Sequence, residues 1–410
     1  MFSKRVKGHH RESIGLKESA SLNDLEGLLK KAPSTKEGII YVHVPFCDNI
    51  CSFCNLNRTK LESKLDGYTK FLLDEIEHYS SFPYIQGKVF KSIYFGGGTP
   101  SILKEDQLDL ILDSINKHFK LAKDVEFSME TTLHNLNKSK IEIMKSHGVN
   151  RYSIGVQTFS NKGRKLLNRV GSGLNAIKKL ELIRESFKGM ICIDIIYNYP
   201  EESMDEVLND AKVIKDLKLD SASFYSLQFQ EGSLFSQKYD SSYYSLEIDH
   251  KLHNAFLESM LSDGTYEVLE YTKVARKKRD RYLYIRLSHK GVDILPLGVG
   301  AAGRLGEFSI VNPKMRLKVV SKISPVESNF ARYSNLFQYD KISLSDIKSY
   351  LNEASFKEVD AFFKLCEKEG LVCLKDNLIT YNLDGIFWGN TIATKAIELS
   401  KASFIKDQVC

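Results

Sequence analysis

The sequence predicts an α/β fold: a partial (β/α)6 barrel of parallel strands, then a C-terminal α+β region ending in a winged-helix-like element. Two observations carry this reading. Through the first half, short β-branched and aromatic runs alternate with longer amphipathic segments, about 30–40 residues apart. After residue 232 the alternation stops, and from residue 336 the order is helix, helix, hairpin.

The strand runs fall at 38–44, 91–95, 125–130, 151–156, 191–197 and 221–227. Helical patterns lie between them at 68–78, 106–118, 139–147 and 204–217. Parallel strands need crossover connections, which amphipathic helices supply. A closed eight-unit barrel takes about 250 residues; the alternation covers fewer, so six units fit. Active residues are then expected at the C-terminal ends of the strands, where the loops gather.

The expected organisation is an N-terminal arm at 1–37, the barrel at 38–232, a substrate-covering or linking region at 233–335, and a winged-helix-like domain at 336–410. In the last of these, 343–352 and 356–369 read as helices, and 371–374 and 378–381 as strands turning at Asp376-Asn377. Acidic and basic residues alternate there, which argues against DNA reading and for a packing lid.

Composition narrows the class. Of 410 residues, 42% are hydrophobic and 27% charged, an ordinary globular balance. No stretch of eighteen apolar residues exists, so no membrane span is expected. Residues 1–10 are basic and polar with no apolar run behind them, which argues against a secretory signal and for the cytoplasm. A net charge of +6 suits an anionic small molecule or an acidic protein partner, and falls short of a nucleic-acid binder.

The chemistry is concentrated in cysteines. Three of the seven crowd into Tyr41-Val-His-Val-Pro-Phe-Cys47-Asp-Asn-Ile-Cys51-Ser-Phe-Cys54, directly after the first strand. Reduced thiols at this spacing read as metal ligands before disulfides. Structural zinc wants four ligands, and no second cysteine pair or well-placed histidine completes a set; His43 is nearest, but on a strand it is expected to point elsewhere. Three thiolates can instead hold three corners of a [4Fe–4S] cube and leave one iron open, where the amino and carboxylate groups of S-adenosylmethionine (SAM) can bind. Cys192, Cys366, Cys373 and Cys410 are scattered and read as buried or terminal thiols.

Other motifs sit at the same barrel end. Gly96-Gly97-Gly98-Thr99-Pro100 follows the second strand; such a run is often only a tight turn, yet its amides can also bind a carboxylate. Glu130 closes the third strand, Gln157 the fourth, and Asp194 lies within the fifth. Any one could be a buried core group; three on one rim are better read as a cradle for ribose hydroxyls and an amino group. Arg169 could neutralise a carboxylate, or be a surface helix charge. The basic run at 273–281 reads equally as a clamp for carboxylates or as a solvated face.

Together these residues resemble the radical SAM family of oxygen-independent coproporphyrinogen oxidases and their relatives. The matching pieces are the cysteine segment from Tyr41, Tyr94-Phe-Gly-Gly-Gly-Thr-Pro-Ser, Gly148-Val-Asn-Arg-Tyr-Ser-Ile-Gly-Val-Gln157 and Asp194-Ile-Ile-Tyr. The resemblance implies that Cys47, Cys51 and Cys54 bind the cluster. It also implies SAM contacts at Tyr41, Phe53, Gly97, Gly98, Thr99, Glu130, Gln157, Arg169 and Asp194, and in several members a second SAM. The decarboxylases of the family carry a further cysteine where Leu56 stands, and the haem-chaperone branch a phenylalanine. The run from Arg276 to Tyr284, Leu297-Gly-Val-Gly-Ala-Ala-Gly303 and Gly385-Ile-Phe-Trp388 look more like the anaerobic haem-degrading methyltransferase branch. The implied activity is methyl transfer to haem or a related tetrapyrrole with ring opening, fed by a flavodoxin or ferredoxin. A coproporphyrinogen III dehydrogenase and a haem chaperone are the alternatives.

Overall fold

A computed structural model of the chain describes residues 1–7, 13–54, 59–60 and 64–405; Leu56 and Cys410 lie outside these. At its centre are six parallel strands, β1 (Glu37–Val44), β2 (Val89–Gly97), β3 (Leu121–Thr131), β4 (Arg151–Gln157), β5 (Met190–Tyr197) and β6 (Ser221–Ser226). Each pairs with the next in sequence order. All six runs read from the sequence are strands, with ends moved by a residue or a few.

The crossovers are helices α1 (Leu65–Ser80), α2 (Glu105–His118), α3 (Lys138–Ser146), α4 (Gly173–Ser186) and α5 (Met204–Asp216). Their apolar stripes, such as Leu72 and Ile76 on α1 or Ile111 and Ile115 on α2, are fully buried with Val42, Val44 and Phe95 of the strands. Helix α4 has no counterpart in the sequence reading. It buries Ala176, Leu180 and Ile183, but Leu174 and Leu182 face outward, which blurs its 3.6-residue period.

The sheet continues at both edges. Beyond β6 lie β7 (Tyr266–Glu270) and β8 (Lys273–Arg276), with β8 antiparallel to both β6 and β7. Beyond β1 lies β9 (Asp293–Leu297), parallel to it, then the antiparallel β10 (Ala302–Leu305), β11 (Phe308–Lys314) and β12 (Leu317–Ile323). A short strand, Lys17–Ser19, completes a sheet of thirteen.

The chain between β8 and β9 closes the N-terminal end of the barrel. Arg151 of β4, fully buried, donates to Asp280 at 3.2 and 3.0 Å, and Asp280 also accepts from Ser221 Oγ at 2.7 Å. Tyr284, on the helix Leu283–His289, stacks on Tyr94 and Tyr41 with ring centroids 4.5 and 5.8 Å apart.

This placement corrects the reading of the basic run. Arg279 Nε donates to buried Asp220 at 2.9 Å, and Arg281 Nη1 to Asp124 at 3.0 Å. Arg276 Nη1 stands 4.0 Å from Asp220, and Lys273 Nζ donates to Ser223 Oγ at 3.1 Å. Asp220 precedes β6 and Asp124 lies early in β3, so the three arginines sit at the end of the barrel opposite the C-terminal rim. A buried carboxylate needs charged partners to offset its desolvation. The three arginines are therefore no substrate clamp at the rim, while Lys277 and Lys278 between them are exposed, as the solvated-face reading expects.

The C-terminal segment carries the helix–helix–hairpin order expected, with helices Leu344–Tyr350 and Glu353–Lys368 and strands Val372–Lys375 and Leu378–Tyr381. Residues 1–7 pack across it: Arg5 Nε donates to Phe387 O at 2.9 Å while its Nη1 pairs with buried Asp249 of the helix Leu246–Leu261 at 2.9 Å, and Phe2 meets Trp388 with centroids 5.3 Å apart. Among the described residues no helix is long and apolar enough to cross a membrane.

Candidate active site

A cavity of about 860 Å³ opens at the C-terminal ends of β1–β5. Eleven of the twelve site residues read from the sequence line it: Cys47, Cys51, Cys54, Phe53, Gly97, Gly98, Thr99, Glu130, Gln157, Arg169 and Asp194. Tyr41 does not. Its ring lies in the tyrosine stack behind the cavity, and its hydroxyl meets His43 Nδ1 at 2.9 Å. His43 itself faces the cavity, against the expectation that it points elsewhere; burial lowers its pKa to about 4, so it stays neutral. Strand alternation explains the pair: Tyr41 and His43 share the inner face, while Val42 and Val44 pack against the helices.

The cysteine loop is tied down on both sides. Ser52 Oγ donates to Leu166 O at 2.8 Å, and Asn168 Nδ2 to Ile50 O at 2.7 Å. From the other direction, Phe235 N donates to Ser52 O at 2.7 Å. Phe53 packs on a small cluster of Leu167, Ile196, Tyr199, Leu227 and Phe235. The glycine run then locks onto the loop, with Gly98 N donating to Val44 O and Thr99 N to Phe46 O, both at 2.8 Å. A Cβ on Gly98 would lie 2.4 Å from the Phe46 carbonyl oxygen, so only glycine allows this approach.

Polar groups converge from the opposite wall. Glu130 accepts from Tyr94 Oη at 2.7 Å and from Gly97 N at 3.1 Å. Burial, with Asp194 nearby, raises its pKa from an ordinary 4.5 to about 7. Asp194 is raised for the same reason, and Lys273 opposes the shift. Gln157 holds a left-handed backbone, φ 75°, at a register shift between Gly155 and Gln157. Such a bulge re-aims the side chain of a strand end. Left-handed Asn168 precedes Arg169, whose Nη1 donates to Cys51 Sγ at 2.8 Å and whose Nη2 donates to Gly155 O. Arg169 is therefore part of the cavity wall and not a surface charge.

The donor set suits a cubane cluster with an amino-acid ligand. Three thiols come from one loop on one wall, and Thr99 Oγ1 donates to Cys47 Sγ at 3.6 Å. Among the described residues no three His, Cys, Asp or Glu side chains close onto a single ion, which three separate corners of a cube do not require. Arg169 Nε is buried and unpartnered, a donor with capacity for a carboxylate.

The radical SAM superfamily model matches residues 41–214. The chain is 30% identical over 284 residues to the heme chaperone HemW of Buchnera aphidicola subsp. Schizaphis graminum (strain Sg), covering 66% of this chain and 71% of that protein. This chain belongs to the radical SAM superfamily. The cofactors of that superfamily are a [4Fe–4S] cluster and SAM. A second relative is the anaerobilin synthase of Escherichia coli O157:H7, 26% identical over 290 residues, 70% of this chain and 65% of that protein. Among solved structures, coproporphyrinogen III oxidase (HemN) from Escherichia coli superposes with a TM-score of 0.76 at 19% identity, covering 94% of this chain and 96% of that one. The radical SAM fold is thus shared over nearly the whole chain.

The cavity wall also includes Ser153 and Gly300, which lie in the quoted motifs without a site role, and His134, which no motif marked. His134 Nε2 meets Asp48 at 3.0 Å and so reaches the cysteine loop. An isolated histidine in a short 3-10 turn gives no periodic signal that would have marked it.

Proposed function

We propose that this chain cleaves SAM at a [4Fe–4S] cluster held by Cys47, Cys51 and Cys54, and acts on a tetrapyrrole, haem, by methyl transfer with ring opening. One observation carries the reading: a single cavity joins three thiols on one wall to Glu130, Gln157 and Asp194 on the other. Its volume of about 860 Å³ is near the top of the range for small-molecule sites, roughly 300–1,000 Å³. That leaves room for a substrate beside SAM.

Bound there, the reduced cluster and SAM supply a carbon-centred radical able to take hydrogen from unactivated positions. The protein groups position and shield. Arg169 offers a donor to a carboxylate, the Gly97–Thr99 amides being spent on Glu130, Val44 and Phe46, while Glu130, Gln157 and Asp194 offer acceptors to hydroxyls and an amino group. Phe53 presents an apolar wall, and Tyr41 fixes the orientation of His43. Glu130, with a pKa near 7, can hold or release a proton at neutral pH. In this reading the barrel at 38–232 carries the cofactor chemistry and 233–335 contributes the substrate side. A flavodoxin or ferredoxin delivers the electron to a basic protein.

Support for the substrate comes from the relatives, one an anaerobilin synthase and another a heme chaperone. The second of these favours an alternative, a protein that binds haem and delivers it unaltered. Incubating the reduced, reconstituted protein with SAM and haem separates the readings. A mass change in the tetrapyrrole supports the enzyme, and haem bound but unaltered supports the chaperone. Absence of both haem binding and haem turnover refutes the tetrapyrrole reading.

A further inference from the structure

The β11–β12 hairpin leaves an apolar face uncovered. Val311 and Val319 are direct cross-strand neighbours and are 40% and 54% exposed. Leu317, two residues before Val319 and so on the same face, is 48% exposed. Across the next strand pair Val311 stands opposite Ala302, also exposed. The other face of the hairpin carries Ile310 and Val320, which are buried in the ordinary way. Antiparallel sheets with one solvated face alternate apolar inside and polar outside, so a row of Val and Leu on the open side calls for an occupant.

The position of that face says what covers it. Val311 and Pro313 line the active-site cavity together with Val299 and Gly300, so the apolar face runs continuously into the lip of the cavity. At its outer end the turn carries Lys314, Met315 and Arg316, all exposed, with neither cation in an ion pair among the described residues. Arg316 holds a left-handed backbone, φ 60°, where glycine or asparagine is the ordinary choice. An apolar surface that begins at the reaction cavity and ends in two cations outside any ion pair among the described residues suits a planar, apolar ligand with carboxylates on one edge. The arginines at 276, 279 and 281 cannot serve it, being paired at the opposite end of the barrel.

We infer that the outer face of this hairpin is the docking surface for the substrate ring. Val311, Leu317 and Val319 pack on its plane, and Lys314 and Arg316 hold its carboxylates. The inference rests on the tetrapyrrole reading above and assigns it a surface.

The test uses the full-length, cluster-reconstituted protein, titrated anaerobically with haem and with haem dimethyl ester. Val319→Glu places a charge on the face without touching the cysteine loop, and should weaken haem binding about tenfold, the equivalent of losing one buried aliphatic contact. Lys314→Glu with Arg316→Glu should weaken haem by about threefold per cation and leave the dimethyl ester nearly unaffected, since exposed pairs are worth little each. Iron content and SAM binding, measured in parallel, report whether the fold and the cofactor site are intact. Wild-type haem affinity in both variants overturns the hairpin assignment and leaves the tetrapyrrole reading standing. Failure of the wild-type protein to bind either tetrapyrrole overturns both. A wild-type dimer that Val319→Glu converts to monomers with haem binding intact gives the face to a second copy of the chain, and also overturns the inference.

Discussion

Replacing Gly98 by alanine probes the junction on which the site is built. The added Cβ would lie 2.4 Å from the Phe46 carbonyl oxygen, and 2.8 and 2.9 Å from the Phe46 carbonyl carbon and backbone nitrogen. All three atoms are backbone, so no change of rotamer relieves the contact and the segment leading into Cys47 must move. Two hydrogen bonds cross the same gap, Gly98 N to Val44 O and Thr99 N to Phe46 O, each 2.8 Å. Their loss at about 1 kcal/mol each, added to overpacking at about 1–3 kcal/mol, gives a destabilisation of roughly 3–5 kcal/mol. Where the fold survives, displacement of Cys47 should appear as reduced iron content after reconstitution. Denaturant midpoints of the apo protein and iron per chain are the two readouts. Gly27→Ala is the control, because nothing lies within 4 Å of its added Cβ in the helix Leu22–Leu29, and it should be neutral or stabilising by up to about 1 kcal/mol. A Gly98→Ala protein with the wild-type midpoint and full iron would refute the coupling of glycine turn to cysteine loop.

Other outcomes follow from the same structure. Alanine at Cys47, Cys51 or Cys54 should abolish iron binding, while Cys366→Ala, in the C-terminal helix Glu353–Lys368, should retain it; elemental analysis decides. Asp280→Asn leaves buried Arg151 without its counter-charge, and should lower stability by about 3–5 kcal/mol in a urea melt; a near-neutral effect would mean the pair does not close the barrel. Changing Arg276, Arg279 and Arg281 together to Gln should cost stability, through Asp220, without altering haem affinity; a drop in affinity with stability unchanged would restore the run to the substrate. Glu130 is protonated in the folded protein at pH values where the unfolded chain has already ionised it, so its contribution to stability falls as pH rises from about 4.5 and is fully lost above about 7. The difference between wild type and Glu130→Gln across that window should reach about 3 kcal/mol at most; a pH-independent difference would show that the carboxyl is not raised.

The barrel was legible because parallel strands buried on both faces leave continuous apolar runs, such as Ile191–Ile193 in β5, with helical periods between them. Most of the site was legible because strand ends in such a fold face one rim, which puts Glu130, Gln157 and Asp194 together from their places in the strand order alone. The rest depended on contacts that sequence order does not reveal. The basic run could be read equally as a ligand clamp or a solvated face since the acidic partners of its arginines, Asp220 and Asp124, lie about 60 and 160 residues away in the chain. The strands β9–β12 were missed as sheet extensions because they join β1 across more than 250 residues. His43 was misplaced for want of the inner-face parity set by the register of β1.

The central claim is that the cysteine loop holds a cluster competent to cleave SAM. Anaerobic reconstitution, metal analysis and product analysis with dithionite and SAM test it in one preparation. About four irons per chain and dithionite-dependent formation of 5′-deoxyadenosine are expected, both lost in Cys54→Ala. Stoichiometric zinc without iron, or a full complement of iron with SAM left intact after reduction, would contradict it.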